Sequence, residues 1–179
     1  MQTTHIGKQH FHEYKDSTLN SELIVIDRKF YVPVEELFQA FSTPEALKEW
    51  WWPKKLYSDH IDLDFRETGE YFINMKGFDH GGGGMTGQFL EIVINERIVM
   101  QDQFADARGK AITAKQAKMP GEWPEMCYIT FDFFSEDKNT SSLKLSQQGV
   151  PNEAQKDCIK GWTSMFDKLE KFLKKDLVH

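Results

Sequence analysis

A long amphipathic helix, predicted at the end of the chain after Val150 and Pro151, constrains the fold more than any other feature. Asn152 is a suitable N-cap, and the apolar residues that follow recur at helical spacing while most charges lie off their stripe. Such a stripe must be buried against another layer of structure. We therefore predict a helix over residues 152–174, with an inward stripe that includes Ile159, Trp162, Phe166 and Leu169.

The layer that covers this helix is predicted to be a β-sheet. Residues 24–32 are rich in β-branched and aromatic side chains, and further strand patterns occupy residues 61–65, 71–75, 88–94, 97–104, 127–134 and 143–148. Gln147 falls on the apolar face of the last strand. The alternation in residues 88–94 and 97–104 is too poor to assign their faces. Residues 105–124 form a long loop, of a length often found in lids and binding loops.

Two short helices are predicted between the first two strands. Pro33 opens one of them, and Thr43 caps the second with Pro44 at its first position. The order of elements predicts an α+β fold, with an antiparallel sheet and its helices on one face. Because one helix cannot cover a broad twisted sheet, the uncovered gap is expected to form a ligand cavity. Gly161 inside the long helix indicates either a close approach of the sheet or room for a ligand.

Three consecutive tryptophans, Trp50, Trp51 and Trp52, mark where such a cavity is expected. Successive helical residues are turned by about 100°, so three adjacent indoles cannot all face one core. Two readings stay open. Either Trp50 and Trp51 are core residues and Trp52 anchors the adjoining loop, or the triplet forms the wall of a binding pocket.

Composition limits the partners of the chain. The net charge of −6 over 179 residues disfavours nucleic-acid and anionic-membrane binding. No apolar run is long enough to span a membrane. The polar residues 1–20 are predicted to be a flexible arm before a single domain over residues 21–179. Cys127 and Cys158 are interpreted as free thiols in a reducing compartment, which predicts a cytoplasmic protein.

Motifs that would indicate catalysis or a cofactor are weak. Gly82-x-Gly84-x-x-Gly87 matches a dinucleotide fingerprint, but a strand follows where a phosphate site needs a helix. The run from Gly81 to Gly84 is therefore predicted to be a mobile hairpin turn. His10 and His12 lack further metal ligands nearby. No catalytic residue, cofactor or metal site is predicted.

Six short motifs in order resemble proteins similar to the activator of the heat-shock-protein-90 ATPase, over roughly residues 22 to 174. They are Val25-Ile26-Asp27-Arg28-Lys29-Phe30, the helix from Pro33 to Phe41, Thr43-Pro44-Glu45-Ala46-Leu47 through Trp50-Trp51 and Pro53, Asp64-Phe65-Arg66 with Gly69, Glu96-Arg97-Ile98-Val99, and Gly161-Trp162 with Leu169.

The resemblance implies a START-like, birch-pollen-allergen-like helix-grip fold, in which a curved antiparallel sheet wraps the long C-terminal helix around an apolar cavity. Members of the wider superfamily bind lipids, hormones and polyketides, and a few are cyclases or hydrolases. Four positions depart from the pattern. Trp52 and Thr68 stand where relatives have glycine, and Gln147 and Cys158 stand where many have histidine, which removes the usual acid–base candidates.

The sequence therefore predicts a carrier or sensor of a hydrophobic small molecule and favours a binding protein over an enzyme. Two alternatives remain: a chaperone-regulating protein-interaction module, and a cyclase- or hydrolase-like enzyme that would need a buried carboxylate or histidine with a shifted pKa. The predicted pocket has an apolar wall and one polar group, Gln147. Its wall is made of Trp50, Trp51, Tyr71, Ile73, Met75, Phe131, Trp162 and Phe166.

Overall fold

The computed structural model describes residues 21–77 and 83–176. The predicted N-terminal arm, residues 1–20, lies outside them. The elements follow the predicted order, and the C-terminal helix is the longest. They are β1 (Ile24–Phe30), α1 (Val34–Gln39), α2 (Pro44–Trp50), β2 (Ile61–Leu63), β3 (Glu70–Met75), β4 (Gly83–Val93), β5 (Arg97–Ala105), β6 (Ala111–Ile112), β7 (Cys127–Asp137), β8 (Thr140–Gln148) and α3 (Asn152–Asp176).

The strands form one curved antiparallel sheet in the order β1-β8-β7-β5-β4-β3-β2, with β6 paired to β5. A register shift between Phe89 and Glu91 marks a bulge in β4. Bulges of this kind bend a strand and increase its twist. The predicted α+β class and the curved antiparallel sheet with a C-terminal helix are confirmed.

Local sequence explains where the short helices begin. The hydroxyl oxygen of Thr43 accepts a hydrogen bond from the backbone N–H of Ala46 at 3.2 Å, and Pro44 occupies the first helical position. This is the predicted N-cap. Pro33 precedes α1 as its N-cap, with an extended backbone.

The core lies between the inward face of the sheet and the helices. On α3, Trp162, Phe166 and Leu169 are buried, as predicted. Ile159 is not, because 41% of its surface is exposed, so its assignment to the inward stripe was wrong. The buried stripe of α3 includes Met165 and Leu173, and the helix turns Ile159 out of it.

Gly161 does not mark a close approach to the sheet. A Cβ atom at this position would meet only Cγ of Pro53, at an ordinary contact distance of 3.7 Å. The neighbour of this glycine is thus the loop that follows the tryptophan triplet.

The glycine run differs in part from its prediction. Gly81 and Gly82 lie outside the described residues, whereas Gly83 and Gly84 are already the first residues of β4. Gly87 lies in the same strand, so the glycines of the dinucleotide-like motif that are described precede no helix.

Candidate functional site

The three tryptophans diverge in the way their spacing requires. Trp50 and Trp51 are buried, and Trp52 is half-buried. Each indole N–H donates to a different acceptor: Trp50 to the carbonyl oxygen of Ala40 at 2.9 Å, Trp51 to Sδ of Met85 at 3.2 Å, and Trp52 to the carbonyl oxygen of Asn74 at 2.6 Å. The triplet thereby ties α2 to the sheet.

Five of the predicted pocket residues come together as one aromatic cluster. The Trp51 ring lies 5.7 Å from that of Trp162 and 6.3 Å from that of Phe131, measured between ring centroids. Trp50 and Phe166 complete the group, in contact with Trp51 and Trp162 respectively. Trp50, Phe131 and Phe166 are fully buried among their neighbours, so this part of the sheet–helix layer is packed with side chains.

The three predicted residues of β3 share the inward face but differ in accessibility. Ile73 is fully buried, Tyr71 is nearly so, and Met75 at the end of the strand is half-buried. Tyr71 extends across β4 above Gly87, where a Cβ atom would collide with the Gln101 carbonyl oxygen and lie 2.8 Å from the Tyr71 hydroxyl. Glycine is therefore needed here for the tyrosine to reach β5.

Gln147 lies on the inward face of β8, as its alternation predicts. Its Oε1 accepts hydrogen bonds from the indole N–H of Trp162 at 2.7 Å and from Sγ of Cys158 at 3.3 Å. These bonds bring β8 and α3 together, so the acceptor oxygen of Gln147 is occupied within the protein.

Asp102 is the residue that sequence reasoning missed. It pairs in register with Cys127 of β7 and with Gly87 of β4, which places its side chain on the inward face of the sheet. The Tyr71 hydroxyl donates to the Gln101 carbonyl oxygen at 2.8 Å and lies 3.3 Å from Oδ1 of Asp102. Asp102 remains partly accessible. None of the ion pairs found among the described residues includes it.

The surroundings of Asp102 favour uncharged side chains. Burial raises the pKa of Asp102 to about 8, although hydrogen bonds from the Tyr71 hydroxyl and the Gln103 backbone act in the opposite direction. Burial also raises the pKa of the Cys158 thiol to about 11. It raises the pKa values of Tyr71 and Cys127 well above the ordinary values of a tyrosine and a cysteine. At neutral pH this cluster of β3, β5, β7 and α3 is predominantly neutral.

The long loop after β5 reaches the start of α3 near this cluster. The ring of Trp123 packs edge-on against Phe104, two residues beyond Asp102, with 5.0 Å between centroids. Gly121 has a positive φ of 101° and lies against Pro151 and Glu153, so a Cβ atom at this position would be crowded by both. The loop thus bridges the end of the sheet and the beginning of the helix, beside the half-buried inward side chains.

A pattern in β5 could have identified Asp102. Ile98, Met100 and Phe104 share its parity, so a single acid interrupts an otherwise apolar face. The pattern was obscured because Val99, on the opposite face, is also fully buried. Asp102 is thus a half-buried carboxyl group with a raised pKa on the inward face of the sheet.

An open groove lies elsewhere on the surface, between α1 and the β4–β5 turn. Its volume is about 520 Å³, and Phe38, Phe65 and Ile92 line it together with the acidic Glu35 and Glu67. None of the predicted pocket residues lines this groove.

With the fold and these contacts established, the chain can be compared with known proteins. The family model for activator of Hsp90 ATPase homolog 1-like proteins matches residues 31–174. The chain belongs to this family. The predicted resemblance is therefore confirmed, and the curved sheet with its C-terminal helix is the family's helix-grip fold. A comparison with curated proteins gives no significant match.

Solved structures from several bacteria share this fold. A protein from Chromobacterium violaceum is 24% identical with a TM-score of 0.70, over 84% of this chain and 96% of that one. The AHSA1 protein from Silicibacter pomeroyi is 22% identical with a TM-score of 0.69, over 88% and 100%. A protein from Nitrosomonas europaea is 17% identical with a TM-score of 0.71, over 92% and 100%. At these identities the likeness concerns the fold alone.

Metal ligands and membrane-spanning helices would each indicate a particular kind of site. Within residues 21–77 and 83–176, no group of three or more His, Cys, Asp or Glu side chains could hold a metal ion. Across the same residues, no helix is both long and apolar enough to cross a membrane.

Proposed function

We propose that the protein is a carrier or sensor that binds a hydrophobic small molecule between the sheet and α3. One observation carries this proposal: inward side chains stay half-buried beyond the aromatic cluster, where Asp102, Phe104 and Met75 follow the packed residues. A folding core gains nothing from a carboxyl group there, whereas a ligand site combines apolar walls with a few polar groups. Trp50, Trp51, Phe131 and Phe166 support the walls of the proposed site.

The proposed carrier acts in the cytoplasm, where Cys127 and Cys158 would stay reduced. Both are free thiols in the structure. Cytosolic conditions keep such thiols reduced.

The proposal is tested by a screen of fatty acids, sterols and aromatic metabolites, read by thermal shift and by tryptophan fluorescence. A ligand at one hundred times its Kd should stabilise the folded protein by about 2.7 kcal/mol. Native mass spectrometry of the protein purified from its own cells would reveal a bound ligand directly. If no compound stabilises the protein and no small molecule co-purifies, the carrier proposal is wrong.

Neighbouring residues of α3 offer a matched pair of variants for this screen. Cys158→Phe places an aromatic ring on the side that faces Gln147, and Ile159→Phe places the same ring at an exposed position of the same helix. Ligand binding should be lost or strongly weakened in Cys158→Phe and retained in Ile159→Phe. Equal binding by both variants would place the ligand elsewhere.

An acid–base enzyme acting on an apolar substrate is the second candidate. Asp102 favours it, since a buried acid with a pKa near the working pH is suited to proton transfer. Conversion of a bound ligand, lost in Asp102→Asn while binding persists, would support this candidate over a carrier.

A further inference from the structure

The polar end of the proposed ligand site has a definable chemistry, which depends on Asp102. Its carboxyl group lies on the inward face of β5, between Gly87 and Cys127 on the neighbouring strands. Because Gly87 carries no side chain, the Tyr71 ring can lie across β4 and bring its hydroxyl to 3.3 Å from Oδ1 of Asp102. The Tyr71 hydroxyl therefore contacts Oδ1 of Asp102, and the residue remains partly accessible.

The groups around Asp102 determine which form of the carboxyl a ligand would meet. The facing side chains are Tyr71 from β3, Cys127 from β7 and Cys158 from α3, and β4 contributes only Gly87. Burial raises the pKa values of all three facing groups, so they stay neutral between pH 6 and 9. Among residues 21–77 and 83–176 no ion pair stabilises the carboxylate, so Asp102 is the group of this cluster that titrates in that range.

We propose that Asp102, in its protonated form, donates a hydrogen bond to a neutral carbonyl oxygen of the ligand, which is thus an apolar molecule with a ketone, aldehyde or ester group. A neutral donor suits this environment better than a charge pair, because two charges would have to be desolvated. Of the other polar atoms nearby, Gln147 Oε1 already accepts from Trp162, and the Tyr71 hydroxyl hydrogen is donated to the Gln101 carbonyl oxygen. This inference rests on the proposed function and names the ligand class of the same site.

Three naphthalenes of similar shape test the inference: 2-acetylnaphthalene with a carbonyl, 2-ethylnaphthalene without a polar group, and 1-(2-naphthyl)ethylamine with a cation. Their affinities are measured by equilibrium dialysis from pH 6 to 10. The ketone should bind roughly tenfold more tightly than the hydrocarbon at pH 6, the gain expected for one hydrogen bond to a ligand in an apolar site. Above pH 8 its affinity should fall towards that of the hydrocarbon, because the donor is lost as Asp102 ionises.

Two variants at position 102 separate the role of the donor from that of packing. Asp102→Leu should remove the advantage of the ketone, so that this variant binds 2-acetylnaphthalene no more tightly than 2-ethylnaphthalene. Asp102→Asn keeps an N–H donor, so it should retain ketone binding and remove its dependence on pH. The infrared carbonyl band of bound 2-acetylnaphthalene should lie at lower wavenumber in the wild type at pH 6 than in Asp102→Leu.

The possible failures are distinguishable. If the hydrocarbon binds but the ketone shows no advantage, or if Asp102→Leu leaves the ketone affinity unchanged, the inference is wrong and the proposed function stands. If the amine binds most tightly and its affinity rises with pH through 8, the site recognises a cation instead, which also overturns the inference. If none of the three compounds binds, the proposed apolar site fails and the inference falls with it.

Discussion

Five described residues other than glycine have a positive φ, which normally favours glycine, and two of them depart from the family pattern. Trp52 has a φ of 86° and Thr68 a φ of 66°, and both stand where the family resemblance indicates glycine. Such residues cost about 1–3 kcal/mol and persist only when neighbouring contacts hold them. For Trp52 those contacts are visible: its indole N–H donates to Asn74, and its carbonyl oxygen accepts from Nζ of Lys168 at 2.7 Å. The two departures from the family pattern are thus substitutions at strained positions.

The titration of Asp102 should be visible in the pH dependence of stability. Its pKa is about 8 when folded and about 3.9 in an unfolded chain, so between these values the folded state binds the extra proton. Raising the pH through this window must therefore destabilise the wild type, by up to about 1.4 kcal/mol per pH unit. Asp102→Asn lacks this loss, so its stability relative to the wild type should increase from pH 5 to pH 9. Urea unfolding at each pH measures the difference, and a constant difference would show that Asp102 is not desolvated.

Gln147 is expected to support the structure through Trp162. In Gln147→Leu the buried indole N–H loses its acceptor, and an unsatisfied buried donor costs about 1–3 kcal/mol. Urea unfolding should show this loss. In a Trp162→Phe background the same change should cost clearly less, because no N–H remains to be satisfied. Equal losses in both backgrounds would show that the hydrogen bond contributes nothing.

At the scale of elements, alternation predicted some strands well and failed for others. In β2 and β7 one face is more polar, so the apolar face could be read from the sequence. In β5 the outward Val99 and the inward Ile98 are both buried, so no alternation distinguishes the two faces. For the same reason, the inward position of Asp102 could not be predicted from alternation. On α3 the helical period predicts the burial of Trp162 and Phe166 correctly, but the predicted stripe is too wide and includes the exposed Ile159.

Two glycines in different elements should respond oppositely to alanine. Gly161 lies in α3, where a Cβ atom would have an ordinary contact with Pro53, so Gly161→Ala should stabilise the fold by roughly 0.5–1 kcal/mol through helix propensity. Gly87→Ala should destabilise it, since the new atom would collide with the Gln101 carbonyl oxygen. Denaturant midpoints of both variants check the pair. A destabilised Gly161→Ala would indicate that the helix cannot accept a Cβ atom there.

At the scale of the whole molecule, the order of the six family motifs predicted the fold better than any single element did. The motifs fix the sequence of strand, helices, sheet and final helix, and the sheet topology follows from it. The site was less predictable, because it depends on contacts between distant elements. The register of β5 with β7 brings Asp102 beside Cys127, and the glycine at position 87 admits Tyr71. Neither contact produces a periodic pattern in the sequence from which it could be predicted.

One contact that joins distant parts of the chain is the half-buried Lys168. Its Nζ donates to the carbonyl oxygens of Trp52 at 2.7 Å and Leu56 at 2.9 Å, which attaches α3 to the loop after the tryptophan triplet. Lys168→Met should destabilise the protein by about 1–3 kcal/mol, since two carbonyl groups lose a charged donor. Lys171→Met, at an exposed position of the same helix, is the control and should change little. Equal effects of the two variants in thermal unfolding would argue against this attachment.

The reactivity of the two cysteines can be used to measure how often α3 separates from the sheet. Thiolates react with alkylating reagents, and the raised pKa values of Cys127 and Cys158 keep both thiols in the unreactive form. Alkylation of Cys127, which is buried, should therefore proceed only through rare separations of α3 from the sheet, at a rate that measures how often they occur. A molecule bound between the sheet and α3 would make these separations rarer and slow the alkylation. A mass spectrum of alkylated protein could therefore detect a bound molecule without any knowledge of what it is.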